Sequence, residues 1–187
     1  MNLLHYCKNY LFPKTIFGIF AYLIAYPRVS YIKAISSAYL MALLYNFEHR
    51  LLHMFPNLHL NMHHMKQIKL PRSVELLLEY IFEFCWFAGV PLALQYVTGV
   101  WIIPPTIVLF VVFTLTNVHI LWYSTVKTET HSAHHKDPTK NFGPSFVDHL
   151  IGTNATEKYE DMNQFVPFVL MSALVLHFVK NYFQWKD

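Results

Sequence analysis

Five apolar stretches, separated by polar segments, limit this chain to a small set of folds: about Leu11 to Tyr26, Tyr31 to Phe47, Val74 to Val97, Trp101 to Tyr123 and Gln164 to Phe183. A transmembrane helix takes ~20 mostly apolar residues, because each residue advances ~1.5 Å across a ~30 Å hydrocarbon core. The stretches have that scale, and each predicts a helix. A soluble fold could not hide the same surface. Of 187 residues, 55% are hydrophobic and 13% charged, about half the ~25% charge of an ordinary soluble domain, and small domains leave much of their chain exposed. An aromatic content of 17% excludes disorder. Five glycines exclude a collagen, a low-complexity linker or a Gly-rich phosphate-binding domain. The expectation is a single all-α integral membrane domain over residues 1–187, a bundle of four to five spans in hairpins with a cytosolic, histidine-rich helical cap.

The polar positions give a topology. His5, Lys8 and Asn9 interrupt the amino terminus and no small-residue cleavage site follows, so the first run reads as a retained span rather than a signal peptide. Turns at 27–30 (Pro27-Arg28) and 98–100 (Thr98-Gly99) make two helical hairpins, each returning the chain to the face it left. The polar loops 48–73 and 124–163 then share one side. That side carries Arg50, Lys66, Lys69, Arg72, Lys127, Lys136, Lys140 and Lys158, against Arg28 and Lys33 opposite. The positive-inside bias puts both loops in the cytosol, at the endoplasmic reticulum membrane in a eukaryote or the inner membrane in a bacterium. Two cysteines, Cys7 and Cys85, suit a reducing compartment, and the sequon Asn154-Ala155-Thr156 would there stay unglycosylated. The scattered basic residues form no nucleic-acid stripe. Glu75, Glu79 and Glu83, at i, i+4 and i+8, line one helical face and predict that it points into the protein. The fifth run, interrupted by His177 and Lys180, either spans or lies along the interface.

Histidine is the unusual residue, with 12 in 187. Nine fall in the polar loops or at their helical edges: His49 and His53 (HRLLH), His59, His63 and His64 (HLNMHH), His119, and His131, His134 and His135 (HSAHH). Positions i and i+4 lie ~40° apart on an α-helix and i and i+3 ~60° apart, so the first and last groups each present a compact imidazole face. The middle group is looser, with i and i+5 ~140° apart in a regular helix. Motifs of the form H-x2-H-H or H-x3-H-H arise roughly 0.1 times by chance at this composition; two occur. Neutral imidazole suits iron, zinc, copper and nickel. A structural zinc closes with four ligands, so nine histidines point to two metal ions. An all-nitrogen shell needs charge balance nearby, and Glu48, Glu129, Asp137 and Asp148 are the candidate carboxylates to accept the histidines' free N–H groups. His119 alone reads equally as a packing or capping residue, and His5, His149 and His177 read as structural or surface residues.

In order and spacing, HRLLH, HLNMHH, His119 and HSAHH followed by NFGPSFVDHLIGT resemble the fatty acid hydroxylase/sterol desaturase superfamily over roughly residues 45 to 153. In that family the last box is followed by an N-[YF]-G stretch and a W-D-x-[LI]-[FI]-G-T ending. Here Asn141-Phe142-Gly143 and Asp148-His149-Leu150-Ile151-Gly152-Thr153 hold those places, with Val147 in place of tryptophan. The resemblance implies a membrane-bound, non-haem di-iron oxidoreductase, a monooxygenase or desaturase of lipids with dioxygen as co-substrate. It implies a fatty-acyl, sterol or related lipid substrate within the bilayer. No flavin, haem or iron–sulfur motif is present, so the electrons come from an external donor such as cytochrome b5, or a ferredoxin with its reductase. The pattern departs in three places. The second box reads H-x3-H-H with Leu60 in the usual third-ligand place, so His59 reaches a metal only if the helix is locally distorted. The third group has His119 with Tyr123 four residues on, and the chain runs past the Gly-Thr ending into a further apolar segment.

Two other classes compete. A histidine-rich metal transporter would place ionisable groups near the midplane between broken helices, whereas these histidines lie at the edges of the spans. A catalytically degenerate structural membrane protein would tolerate loss of any one histidine.

Overall fold

The computed structural model describes residues 11–126, 128–155 and 165–185. Among them the chain is all-helical, without strands. The polar break at His5, Lys8 and Asn9, Cys7, Lys127, the sequon's Thr156, Lys158 and Gln164 lie outside the described residues. The elements are α1 (Phe12–Ala25), α2 (Tyr31–Leu52), a π-helical stretch π1 (His59–His64), α3 (Arg72–Thr98), α4 (Pro105–Thr116), a second π-helical stretch π2 (Asn117–Trp122), α5 (Tyr123–Thr125), α6 (Glu129–Lys136), α7 (Ser145–Ile151) and α8 (Phe165–Phe183).

Among the described residues, three helical segments are long and apolar enough to cross a membrane: Arg72–Thr98, the continuous Pro105–Thr125 and Phe165–Phe183. They correspond to the third, fourth and fifth apolar runs. Over the described residues the first two runs fall short of that measure. At 14 residues, α1 extends only about 21 Å. The 22 residues of α2 include Lys33, Ser36, Ser37, Asn46, Glu48, His49 and Arg50. The fourth run begins as a helix at Pro105 rather than at Trp101. Residues preceding a proline are driven out of the α region, and Pro104-Pro105 impose this twice. The Ile103 N–H instead donates to Gln95 Oε1, 2.7 Å away. Gly99, at φ +68°, makes the turn after α3 in the left-handed region that favours glycine.

The described residues fall into two compact units, one from the segments ending at Met41, Pro91–Leu115 and from Phe165 onward, the other from Ala42–Val90 and Thr116–Ala155. In the first unit α1 packs on α8. Phe17 is the centre, stacked on Phe110 and tilted against Phe165 at 5.4 Å each, with Tyr39 at its edge. Ala21, Ala25, Ala34 and Ala38 are fully buried, and small residues of this kind let membrane helices approach closely. On α8 the buried set Phe165, Val169, Ser172, Ala173 and Leu176 recurs at helical spacing, while Leu170, Leu174 and Phe178 are exposed.

The second unit holds the end of α2, π1, most of α3, π2, α6 and α7. Its loop between α6 and α7 is organised by Asp148, which is 2% exposed. The carboxylate accepts from Phe142 N (3.1 Å), Gly143 N (2.7 Å), Asn46 Nδ2 (3.0 Å) and Thr153 Oγ1 (2.8 Å). Arg50 ties the same loop down from α2, donating to Asn46 Oδ1 and Thr153 Oγ1 with its guanidinium over the Phe142 ring. The N-F-G and D-x4-T positions of the sequence are therefore one hydrogen-bonded corner.

Candidate metal centre

All nine histidines of the four sequence groups come together in the second unit. Their ligand atoms form three overlapping groups: His49, His53, His59, His64 and His134; His63, His64 and His135; and His63, His119 and His131. His63 belongs to both smaller groups and His64 links the five-histidine group to one of them, so the nine form a five-histidine nest, with His64 at its boundary, and a neighbouring nest around His63. Four elements supply them. The last turns of α2 carry His49, with His53 one residue beyond; α6 carries His131, His134 and His135, its first turn capped by Thr128 Oγ1 accepting from His131 N. π1 carries His59, His63 and His64, and π2 carries His119.

The π-helical stretch resolves the irregular second box. A π-helix turns by only about 80° per residue, through its wider i→i+5 hydrogen bonds. Positions i+4 and i+5 then fall about 30° to one side and about 50° to the other of position i, instead of the ~140° between i and i+5 in an α-helix. His59, His63 and His64 thus share a face because the helix is widened.

One side of most rings is anchored. His49 Nδ1 lies 2.6 Å from the Phe142 carbonyl and His134 Nδ1 2.5 Å from that of Lys140. His59 and His119 direct Nδ1 at the two oxygens of Glu83, 2.9 Å each, and His63 Nδ1 is 3.3 Å from Glu79 Oε2. Carbonyls and carboxylates accept, so each Nδ1 donates, and in the neutral ring Nε2 is left as a bare lone pair.

The Nε2 atoms face one another. Nε2 of His59 is 3.0 Å from that of His49, 3.1 Å from that of His64 and 3.4 Å from that of His53. Nε2 of His135 is 3.1 Å from that of His63 and 2.9 Å from that of His131. Between His49 and His59 neither nitrogen has a hydrogen to give. Nε2 of His119 and of His134 are buried without a partner. Opposed and unpaired lone pairs in a dry interior are costly unless a cation stands among them. A proton is disfavoured there, since burial holds His59, His63, His64, His131 and His134 below the usual imidazole value, pushing His53 down to about 3 and His135 to about 4. A metal ion fits. Ligand nitrogens ~2.0–2.1 Å from an ion are separated by about 2.8–3.0 Å in cis octahedral and about 3.3–3.4 Å in tetrahedral arrangements, the spacings found here.

The sequence-based assignment of the balancing carboxylates needs correction. Glu83 and Glu79, on α3 and outside that set, are acids that histidine N–H groups reach. Asp148 serves the backbone of Phe142 and Gly143, and so steadies His49 only through the Phe142 carbonyl. Asp137 is at the surface and accepts from Thr139. Glu129 opens α6. Glu48 is buried with Oε2 unpartnered, and burial pushes it up to about 8. The sequence signal for Glu79 and Glu83 is their inward acidic face, which the fold turns toward the histidines. Tyr123 stacks on His131 at 4.5 Å. Neither His149, on α7, nor His177, which pairs with Asn181 on α8, joins a metal-binding group; His5 lies outside the described residues.

The chain matches no protein-family model, no curated protein and no solved structure.

Proposed function

We propose that this protein is a di-iron lipid hydroxylase or desaturase of the fatty acid hydroxylase/sterol desaturase type, acting with dioxygen on a fatty-acyl, sterol or related lipid in the membrane. The observation that carries the reading is the gathering of Nε2 atoms in two adjoining nests, His49, His53, His59, His64 and His134 in one and His63, His119, His131 and His135 in the other, with the bare lone pairs of His49 and His59 opposed at 3.0 Å. Two iron ions held there would supply the dioxygen activation that oxidation of an unactivated C–H bond requires. The chain's own part is to gather nine imidazoles, to fix His49, His59, His63, His119 and His134 in a ligating tautomer, and to offset the ions' charge with Glu79 and Glu83. Electrons come from an external donor, cytochrome b5 or a ferredoxin with its reductase, and the histidines face the cytosol.

Opposed lone pairs distinguish this reading from a transporter, which must release its ion: most of these imidazoles are locked from behind by a carbonyl or a carboxylate. The test is lipid analysis of membranes containing the native chain or His134→Ala under labelled dioxygen. Label entering a lipid, or loss of two hydrogens from one, only with the native chain supports the reading. Identical lipids from the two, in preparations where the native chain carries two irons and has a competent electron donor, contradict it.

A further inference from the structure

The carboxylate of Glu83 is fully buried on α3, and it is shared. Oε1 accepts from His59 Nδ1 and Oε2 from His119 Nδ1, both at 2.9 Å. His59 belongs to the five-histidine nest and His119 to the nest around His63. The other anchors serve one nest each. The Phe142 and Lys140 carbonyls hold His49 and His134 in the first, and Glu79 holds His63 in the second through Oε2, its Oε1 having no partner. Both of Glu83's histidines stand in π-helical stretches, π1 and π2, so the widened turns bring them to one carboxylate.

Resting on the metal reading above, we infer that Glu83 is a positioning residue common to both metal sites: a single carboxylate sets the ligating tautomer of one histidine in each nest and gives both ions one shared negative charge. Two acceptor atoms are essential to this role. Glutamine in its place keeps one acceptor and turns an N–H2 group toward the other ring. That ring must then present a lone pair at Nδ1 and carry its hydrogen on Nε2, where it cannot ligate. The loss of the shared charge falls on both sites at once. Replacing Glu79 touches His63 alone.

The test uses the full chain in detergent, stripped by chelator and titrated with Co2+, whose visible absorption bands report coordination, with bound metal counted independently. The native chain is expected to take two equivalents. Glu83→Gln should weaken both by about 10–100-fold, the usual effect of removing a partner of a ligating histidine, and shift the bands of both. Glu79→Gln should weaken one and leave the other. Should Glu83→Gln not accumulate as a folded protein, Glu83→Asp, one methylene too short to span both imidazoles, should weaken at least one site while retaining the charge. Glu83→Gln that weakens a single site or neither, or Glu83→Asp that changes neither, overturns the inference and leaves the metal reading standing. A native chain that takes up no ion overturns both.

Discussion

The two units of this protein spend their interiors differently. The first buries Phe17, Phe110, Phe165, a set of alanines and a few neutral polar groups such as Ser37, Gln95, Thr114 and Ser172. The second buries His49, His59, His63, His119, His134, Glu48, Glu79, Glu83 and Asp148. Among the described residues, every buried carboxyl or imidazole belongs to the second unit. Apolar packing alone suffices to make a helical unit stable, and burying ionisable groups works against it. The polar interior of the second unit is therefore explained by what it could hold.

The comparison can be broken by mutation. Phe17→Ala empties the centre of the first unit and should cost about 3–5 kcal/mol, read by thermal or denaturant unfolding in detergent. The chains that remain folded should keep their full metal content; a parallel loss of metal would show that the two interiors are not separate in this sense. Asp148→Asn should act the other way round. Its amide places N–H2 against the Gly143 N–H, leaving a buried donor unpaired at a cost of about 1–3 kcal/mol. It also loosens the Phe142 carbonyl behind His49, so metal affinity should fall along with stability.

Acid sharpens the contrast further. His53 and His135 have folded-state values near 3 and 4, below the ~6.5 of an unfolded chain. Between those limits the unfolded state binds more protons, so stability rises with pH there. Their contribution is full above about pH 6.5 and falls as the pH drops toward 4 and 3. Metal-free protein should lose stability over that window, and metal-loaded protein should release its ions over it. Unfolding midpoints that do not move between pH 7 and pH 4 would contradict the burial of neutral imidazoles. The smallest effect is expected from Lys66→Gln, which removes the half-exposed partner of Glu75 at 2.8 Å and leaves Arg72 paired with the same carboxylate at 3.0 Å; a pair with one partner in solvent contributes less than about 1 kcal/mol, and the metal content should be unchanged.

Much of this was legible in the sequence because it rests on spacing. The helices Arg72–Thr98 and Phe165–Phe183 follow their apolar runs to within two residues, and the HSAHH box lies on a short helix as its i, i+3, i+4 pattern requires. What escaped depends on interactions that spacing does not carry. Leu11 to Tyr26 reads as a span by composition, and among the described residues its α-helix is the 14-residue Phe12–Ala25. Trp101 reads as helical until the two prolines that follow are counted for their effect on the residues before them. The 59–64 box is irregular on an α-helix, whereas its H-x3-H-H spacing is the regular pattern of a π-helical face. Glu79 and Glu83 were visible as an inward acidic face, but their partners are 16 to 36 residues away in sequence, and only the fold brings them together.

The central claim is that the nests hold metal. The most direct measurement is metal content per purified chain, native against His134→Ala/His135→Ala, which removes one imidazole from each nest. About two ions per native chain, mostly iron and lost in the variant, is the predicted result. Less than one ion per native chain, unchanged by the substitutions, would contradict it.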